Sequence, residues 1–326
     1  MAAIDCGTNS IRLLVADLPP AIPANAAAAH GGGPATPLAT VVRRMEIVRL
    51  GQDVDRTGRL APEAIERSRV ALAGYAAEIT ELGAQRVRMC ATSASRDATN
   101  ADDFHTMVLD TLGVAPEVVS GDEEARLSFT GAVRGLPADA RPPFLVVDIG
   151  GGSTEFIVGS AAAAMPGGPP VDGAISVDVG CVRMTERHLH DDPPTPQQVG
   201  AAEADIAAAV DRALAAVPGR AASTLVGLAG SVTTVAAIAL GLPEYDPERI
   251  HHCRLSYEQV AKVTGELLAM PVAERLAMPV MHPGRADVIG AGALVLRVIM
   301  ERANMTSVVV SEHDILDGIA WSLQLT

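Results

Sequence analysis

Lysine is nearly absent from this chain of 326 residues: Lys262 is the only one, and the rest of its 25 lysine and arginine residues are arginines. A Walker A nucleotide-binding loop needs lysine between glycine and serine or threonine, but Lys262 lies between Ala261 and Val263. An enzyme that forms a Schiff base also needs a reactive lysine. The scarcity of lysine therefore argues against both classes of protein.

Aromatic side chains are also scarce, with one tryptophan, three tyrosines and four phenylalanines. Because 48% of the residues are nevertheless hydrophobic, we expect a globular protein with an aliphatic core. The cysteines are widely spaced and form no CxxC pair, so we expect reduced, buried thiols of a cytosolic protein. The four cysteines are Cys6, Cys90, Cys181 and Cys253.

Positive charge is in deficit, since 39 acidic residues oppose 25 lysines and arginines and give a net charge of −14. Nucleic acid and anionic membranes both require a broad basic field, so neither is expected as a partner. No signal peptide is expected, because the strand-like segment from Ala2 to Asp17 begins at once. The uncharged stretch from Ala221 to Pro243 is interpreted as a buried strand, loop and helix, because glycine, serine and threonine interrupt it. We expect a cytoplasmic protein.

The spacing of apolar residues predicts alternating strands and helices of an α/β fold. Two apolar runs around a polar turn predict a β-hairpin from Ile4 to Asp17. A Gly-Ser loop is expected between the strand from Thr224 to Leu228 and the next helix. Two Pro/Ala/Gly segments, Pro19 to Pro37 and Ala161 to Pro170, are interpreted as insertions at hairpin tips. Further predicted elements are helices at Pro62 to Leu82, Ala101 to Leu112, Thr195 to Val217 and Ala286 to Arg302, strands at Phe144 to Asp148 and Ser307 to Val310, and a last helix from about Asp314.

An internal repeat is the most informative feature of the sequence. Residues 3–10, AIDCGTNS, align with residues 146–153, VVDIGGGS, at an offset of 143. Each copy contains a strand, an aspartate, a glycine-rich turn, a serine and a second strand. The repeat predicts two similar units that face each other across a cleft, each directing one turn at a shared ligand.

The residue types in these turns suit a phosphate group. Successive N–H groups of a glycine-rich turn can point into one concavity, where the oxygens of a phosphate bind. Ser10 and Ser153 add hydroxyl donors, and Asp5 and Asp148 place a carboxylate at the mouth of each turn. Two carboxylates beside a phosphate suit a magnesium ion. The alternative is that both segments are ordinary tight hairpins in which aspartate favours the turn.

Two glutamates and one arginine are further candidates. Glu124 lies in the first turn of a predicted helix; there it either acts as a general base or only favours the helix start after Ser120. Glu155 begins the strand after the glycines, and it either joins a carboxylate cluster or is a solvated strand residue. Arg96 either reaches a phosphate or pairs with Asp97 at the surface.

The segments quoted above resemble the exopolyphosphatase and guanosine pentaphosphate phosphohydrolase family, a branch of the actin-like and sugar-kinase superfamily. The likeness runs nearly end to end and is greatest for the short actinobacterial members. The motifs that carry it are Ala3 to Ser10, Ala91 to Asn100, Ser120 to Arg126 and Asp148 to Glu155. Three downstream segments also resemble family positions: Gly230-Ser231, Arg285 to Asp287 and Ser311 to Asp314. The resemblance implies two actin-like, ribonuclease H-like domains with the active site in the cleft between them.

The resemblance also implies roles for individual residues. Glu124 falls on the catalytic base, and Glu155 falls on an acidic residue of the metal and water site. Asp5 and Asp148 fall on carboxylates that position magnesium, for which manganese is a substitute. The implied phosphate-binding residues are Thr8, Asn9, Ser10, Arg96, Gly150, Gly151, Gly152 and Ser153.

The expected domains are residues 1–125 and 126–326, with the last helix, 313–326, as a candidate addition to the first. No additional helical C-terminal domain is expected, which leaves processive action on long chains in doubt. The expected activity is magnesium-dependent release of the terminal phosphate of inorganic polyphosphate. The alternatives are hydrolysis of guanosine pentaphosphate, an actin-like ATPase, and a sensor that binds polyphosphate or an alarmone without hydrolysis. Because dimers are common in the family, the resemblance makes a homodimer one expectation.

Overall fold

The computed structural model describes residues 1–17, 38–161 and 171–324, and it contains two β-sheets. The segment from Pro19 to Pro37 lies outside the described residues, as does the segment from Ala161 to Pro170 apart from Ala161 itself. The first sheet has the order β3-β2-β1-β4-β5. Its strands are β1 (Ala2–Cys6), β2 (Ser10–Asp17), β3 (Ala39–Ile47), β4 (Val87–Ala91) and β5 (Glu117–Val118).

The second sheet repeats this topology and adds an edge strand. Its order is β10-β11-β9-β6-β7-β8. In both sheets three consecutive strands pair antiparallel, and two further strands then pair parallel beside the first of them. The parallel strands are β4 and β5 beside β1 in the first sheet, and β9 and β11 beside β6 in the second. The predicted α/β fold and its internal repeat are therefore confirmed. The strands are β6 (Phe144–Ile149), β7 (Thr154–Gly159), β8 (Gly173–Val177), β9 (Thr224–Leu228), β10 (Arg254–Ser256) and β11 (Ser307–Val310).

Thirteen α-helices connect and cover the sheets within the described part of the chain. Five precede β6: α1 (Val54–Thr57), α2 (Pro62–Glu81), α3 (Ser93–Asp97), α4 (Ala101–Leu112) and α5 (Gly121–Val133). The others are α6 (Cys181–His188), α7 (Pro196–Ala216), α8 (Ala229–Ala239), α9 (Pro247–Ile250), α10 (Tyr257–Ala269), α11 (Val272–Leu276), α12 (Ile289–Arg302) and α13 (Ile315–Ser322).

Most predicted boundaries lie within a few residues of the observed ones because local capping determines them. Thr195 caps α7 and Asp314 caps α13, each through a reciprocal capping box. The predicted Gly-Ser loop after β9 is wrong. β9 ends at Leu228 and α8 begins at Ala229, whose φ of +67° makes the reversal within one residue. The uncharged stretch from Ala221 to Pro243 is thus mainly a strand and a helix, and no described helix has the length and apolarity needed to cross a membrane.

The core is aliphatic, as the scarcity of aromatic residues predicts. Phe104, Phe129 and Phe156 are the aromatic residues among the largest fully buried side chains; the rest of that group is leucine, isoleucine and methionine. Cys6, Cys90 and Cys181 are buried free thiols, whereas Cys253 is partly exposed. One hydrophobic cluster fills the first sheet and its helices, and a larger one fills the second.

Helices α5 and α13 cross between the two sheets. Ile319 of α13 packs in a cluster with residues of the first sheet, and Phe129 of α5 packs against the second. A Cβ atom at Gly131 would overlap the carbonyl of Asp314, and one at Gly318 would overlap the carbonyl of Leu127. The helices therefore touch backbone to backbone. The predicted domain division at residue 125 falls inside α5 and stays a prediction, as does the assignment of the last helix to the first domain.

Candidate active site

A polar cavity of about 90 Å³ lies between the two repeated turns. It is enclosed by residues of both sheets and by the helices that follow them. The residues of the first half that line it include Asp5, Gly7, Thr8, Asn9, Ser10, Arg12, Ser93 and Glu124. Those of the second half include Asp148, Gly150, Gly151, Ser153, Glu155, Cys181, Ser231 and Arg285. The structure thus brings the predicted carboxylates and turns together in one cleft.

The first turn, residues 7–10, is closed by a hydrogen bond from the Gly7 amide to the Ser10 carbonyl at 3.0 Å. The carbonyls of Thr8 and Asn9 accept hydrogen bonds from the amides of residues 48, 49 and 51 at 2.9–3.1 Å. The loop after β3 therefore holds the outer side of this turn. The Thr8 hydroxyl lies 2.8 Å from that of Ser93 at the start of α3.

The second turn, residues 150–153, has the same geometry, with a hydrogen bond of 3.0 Å from the Gly150 amide to the Ser153 carbonyl. The carbonyls of Gly150 and Gly151 accept hydrogen bonds from the first amides of α6 at 2.9–3.1 Å. In a planar trans peptide the N–H points opposite to the carbonyl of the same unit. The amides of Gly151 and Gly152 therefore point away from α6, and neither has a recorded hydrogen-bond acceptor among the described residues.

Asp5 and Asp314 share one cation, Arg12. The Asp5 carboxylate accepts hydrogen bonds from Nε of Arg12 at 3.0 Å and from Nη2 at 2.7 Å, and Nη1 of Arg12 binds Asp314. Burial raises the pKa of Asp5 although Arg12 opposes that effect. Burial would also raise the pKa of Asp314, but Arg12 and Arg43 outweigh it and hold this pKa below its ordinary value. One side of the cavity is thus a neutralised ion-pair network.

Asp148 and Glu155 lie directly opposite each other across the hairpin of β6 and β7, without a cation between them. The Asp148 carboxylate accepts a hydrogen bond from Ser128 at 2.7 Å, and Glu155 accepts one from Ser176 at 2.7 Å. Burial and the neighbouring charge of Glu155 raise the pKa of Asp148 to about 8, and burial raises the pKa of Glu155. The carboxyl groups on this side of the cavity therefore keep their protons to higher pH than exposed carboxyl groups do.

Glu124 is buried in the first turn of α5, which Ser120 caps by accepting the amide hydrogen of Glu123. Nη1 of Arg96 donates to the Glu124 carboxylate at 2.7 Å and to the Val119 carbonyl at 2.9 Å. Burial and the charge of Glu155 raise the pKa of Glu124 well above its ordinary value, although Arg96 opposes them. A carboxylate of raised pKa at a polar cavity is suited to accept a proton near neutral pH.

Ten of the twelve predicted site residues line the cavity, and two lie behind it. Gly152 lines a smaller neighbouring cavity with Thr8 and Arg183. Arg96 is not among the lining residues, because its recorded hydrogen bonds run to Glu124 and Val119. The alternative is an ion pair between Arg96 and Asp97. It is not among the described ion pairs, because Asp97 pairs with Arg183 instead. Phosphate binding by Arg96 stays a prediction.

Several residues of the site were not predicted. Arg12 had a usable signal, since it lies 143 positions before Glu155 and therefore occupies the same place in the repeat. Ser128 and Ser176 had none, whereas Asp314 and Arg285 lie in segments that the resemblance indicated without assigning them a role. Arg285 also lines the cavity, and it has no carboxylate partner among the described ion pairs.

A larger chamber of about 440 Å³ adjoins the first cavity and shares Arg12, Gly230 and Arg285 with it. Its wall combines cationic with apolar and aromatic groups, including those of Arg43, Arg44, Tyr245, Val280, Met281 and His282. Arg43 pairs with Asp317 at 2.6 Å and Arg44 with Glu78 at 2.8 Å. Those two arginines are therefore already paired. Arg285 also lines the chamber, and among the described residues it forms no ion pair; its hydrogen bonds run to Gly230 and Thr234.

Comparison with known proteins relates this site to a family. The chain is 49% identical to Exopolyphosphatase 2 of Mycobacterium tuberculosis, over 99% of this chain and 98% of that protein. It is 27% identical to the guanosine-5'-triphosphate,3'-diphosphate pyrophosphatase of Photobacterium profundum, of which it covers 59%. A crystal structure of an exopolyphosphatase-like protein, 41% identical, superposes over the whole chain with a TM-score of 0.89 and is covered to 99%. The model of the Ppx/GppA phosphatase family matches residues 27–326, and the chain belongs to that family.

Proposed function

We propose that this chain is an exopolyphosphatase that hydrolyses the terminal phosphoanhydride of inorganic polyphosphate and releases orthophosphate. The observation that carries this proposal is the placement of Glu124, a buried carboxylate of raised pKa that faces a cavity between two anion-binding turns. The name and high identity of the mycobacterial relative support the same substrate class. Glu124 is the base, and the turns hold the phosphate.

The two turns bind the terminal phosphate groups from opposite sides. Amides of Gly151 and Gly152 without protein acceptors, together with the hydroxyls of Ser10 and Ser153, supply donors for the phosphate oxygens. Thr8, Asn9 and Gly150 complete the proposed phosphate-binding set. Arg285, which has no carboxylate partner in the described ion pairs, extends this set toward the outer chamber. The remainder of the substrate then lies along that chamber.

The donor atoms of the site fit a divalent cation such as magnesium. Asp5 and Asp148 offer carboxylate oxygens, which magnesium prefers. Within the described residues no three histidine, cysteine or acidic side chains form a ready cage. Magnesium usually keeps several waters and binds through one or two carboxylates and substrate phosphates, so two aspartates suffice. When bound, the ion would neutralise the charge of the phosphate oxygens.

In the proposed reaction the Glu124 carboxylate accepts a proton from a water molecule that attacks the terminal phosphorus. Arg96 orients this carboxylate through its 2.7 Å hydrogen bond. Burial and the charge of Glu155 keep the pKa of Glu124 high enough to take the proton near neutral pH. The bond to the bridging oxygen breaks, and that oxygen leaves on the shortened chain. Positioning and charge neutralisation provide most of the rate enhancement in phosphoryl transfer.

The test is phosphate release by the purified protein with magnesium, from short polyphosphate, long polyphosphate, guanosine pentaphosphate and ATP in parallel. Glu124→Gln removes the base and should lower kcat by about 10²–10⁴-fold. Glu123→Gln is the matched control, since that neighbouring carboxylate is exposed and points away from the cavity toward Arg88. Full activity of the Glu124 variant would exclude the mechanism. Binding without release by the unsubstituted chain would favour the sensor instead.

Hydrolysis of guanosine pentaphosphate is the second candidate function, and the outer chamber favours it. The chamber has room beside the phosphate site for a nucleoside, and Tyr245 and Met281 offer surfaces on which a base could pack. Polyphosphate would use only the cationic groups of this wall. A comparison of kcat/KM for the two substrates distinguishes them.

A further inference from the structure

Arg183 connects the second turn to two separate segments of the first half of the molecule. It lies in the first turn of α6, and its side chain is only 12% exposed. Nε donates to the Gly152 carbonyl at 2.7 Å. Nη1 binds Asp55 in α1 at 2.5 Å, and Nη2 binds Asp97 at the end of α3 at 2.6 Å. Each nitrogen of the guanidinium is therefore committed to a different segment.

The segment that carries Asp97 also carries groups of the proposed site. Within α3, Ser93 pairs with the Thr8 hydroxyl and Arg96 holds Glu124. A single short helix of five residues thus joins Arg183, the first turn and the proposed base. A shift of Arg183 relative to α3 would move the second turn relative to both of those groups.

The two turns are in direct contact next to Arg183. A Cβ atom at Gly152 would lie 2.8 Å from the Thr8 hydroxyl and 2.9 Å from that of Ser93. Such distances leave no room for a side chain at Gly152, so the turns touch there. A displacement of Gly152 would therefore change the separation of the two turns. The only recorded hydrogen bond to the Gly152 carbonyl among the described residues is that from Arg183.

We propose that Arg183 is a positioning residue that sets the distance between the two phosphate-binding turns. It fixes the peptide after Gly152, and it anchors that peptide to α3 through Asp97. The alignment of the turn amides with Glu124 then depends on this side chain, which contacts no substrate, as well as on the α6 amides that bind the carbonyls of Gly150 and Gly151. This inference rests on the proposed function for its effect on rate, but its effect on the turn itself does not.

Arg187 provides a matched control on the same helix. It lies one helical turn after Arg183 and binds the same Asp55, with Nη2 at 3.1 Å, and also Asp205. It has no recorded bond to the glycine turn or to α3 in the described structure. Arg187→Met therefore removes a cross-cleft ion pair of the same kind while leaving the turn held.

The experiment compares Arg183→Met, Arg183→Lys and Arg187→Met by kcat and KM with short polyphosphate and by melting temperature. We expect Arg183→Met to lower kcat roughly 10- to 100-fold, as small misplacements of reacting groups do, with a smaller change in KM. Lysine should restore part of this loss, and Arg187→Met should stay within about threefold of the unsubstituted protein. Equal kcat values for the two methionine variants would overturn the proposal.

A second measurement keeps the proposal testable without turnover. Hydrogen exchange of the Gly150 amide, which is bonded to the Ser153 carbonyl, should be faster in Arg183→Met than in Arg187→Met, and equal rates would overturn the proposal. If the unsubstituted protein hydrolyses nothing, the proposed function fails and this comparison alone decides the role of Arg183. If Arg183→Met does not fold, Asp97→Asn replaces it, since Asp97 is 37% exposed and its loss leaves the bond to Gly152. That variant should lose a smaller part of kcat.

Discussion

The two repeated turns have the same backbone geometry but opposite electrostatics. Each is closed by a 3.0 Å hydrogen bond between its first amide and its last carbonyl. In the first hairpin Asp5 lies opposite Arg12, whereas in the second Asp148 lies opposite Glu155. The repeat has thus placed a cation in one copy where the other has an anion.

This difference gives the two halves of the cleft different electrostatic properties. Arg12 neutralises Asp5 and joins it to Asp314, so the first turn is stabilised by a buried ion-pair network. Burial, and after it the charge of Glu155, raises the pKa of Asp148 and of Glu124, so the groups proposed to handle protons and metal are perturbed beside the second turn. The fold provides two equivalent turns, and the exchange of Arg12 for Glu155 gives the aspartate of the second turn an anionic neighbour where that of the first has a cation.

Removing the cation from the first turn should give the largest effect. Arg12→Met leaves the buried carboxylate of Asp5 without its cation and leaves Asp314 with only Arg43 and the Leu316 amide, so it should lower the free energy of unfolding by about 3–5 kcal/mol. Arg44→Met is the control, because its ion pair with Glu78 is exposed and worth at most about 1 kcal/mol. Denaturant unfolding measures both. Equal losses would mean that the network around Arg12 does not stabilise the fold.

Removing the extra anion from the second turn should change the pH dependence of the reaction. Glu155→Gln keeps the shape and the contact with Ser176 but removes a negative charge beside Asp148 and Glu124. The pKa values of both groups should fall, so the acidic limb of the kcat/KM profile should move to lower pH. We also expect kcat to fall by about 10²-fold. An acidic limb that stays in place would show that Glu155 does not control these pKa values.

The smallest effect should come from the steric fit between the turns. Thr8 and Gly151 are equivalent in the repeat, and a Cβ atom at Gly151 would lie 2.9 Å from the Cβ atom of Thr8. Gly151→Ala should therefore cost about 1–3 kcal/mol of unfolding free energy through overpacking. Gly7→Ala is the control, since its Cβ would meet no atom closer than 3.7 Å.

Adding Thr8→Gly to Gly151→Ala removes the side chain that the new Cβ atom would meet. The double variant should therefore recover part of the unfolding free energy that Gly151→Ala loses. Denaturant unfolding of the single variants and the double variant measures the interaction as a cycle. If the two alanine variants are equally stable, the turns are less tightly packed than the structure indicates.

Local patterns predicted most of the fold because the determinants are local. The periodicity of apolar residues and the capping at Ser120, Thr195 and Asp314 located helices to within a few residues. The repeat predicted two equivalent turns before any tertiary contact was known. The abrupt start of α8 at Ala229 was missed, since glycine and serine in Gly230-Ser231 are more typical of a loop than of a helix.

The partners of the site carboxylates could not be predicted in the same way. Asp314 reaches Arg12 across 302 positions of sequence, and Ser176 reaches Glu155 across 21. The phosphate role of Arg96 comes from its place after a strand and from the resemblance to the family, and nothing local in the sequence indicates its contact with Glu124, which lies 28 positions further on. Such contacts arise only from the way in which the sheets and helices pack together.

The crossing of α5 and α13 has a mechanical consequence. Gly131 and Gly318 bring the two backbones into contact without interlocking side chains, and each helix is packed mainly on a different sheet. A side chain at either position would push the two helices apart, and with them the two sheets on which they pack. Asp314 lies at this contact and also binds Arg12. The packing of the two helices and the position of the first turn are therefore linked through a single aspartate.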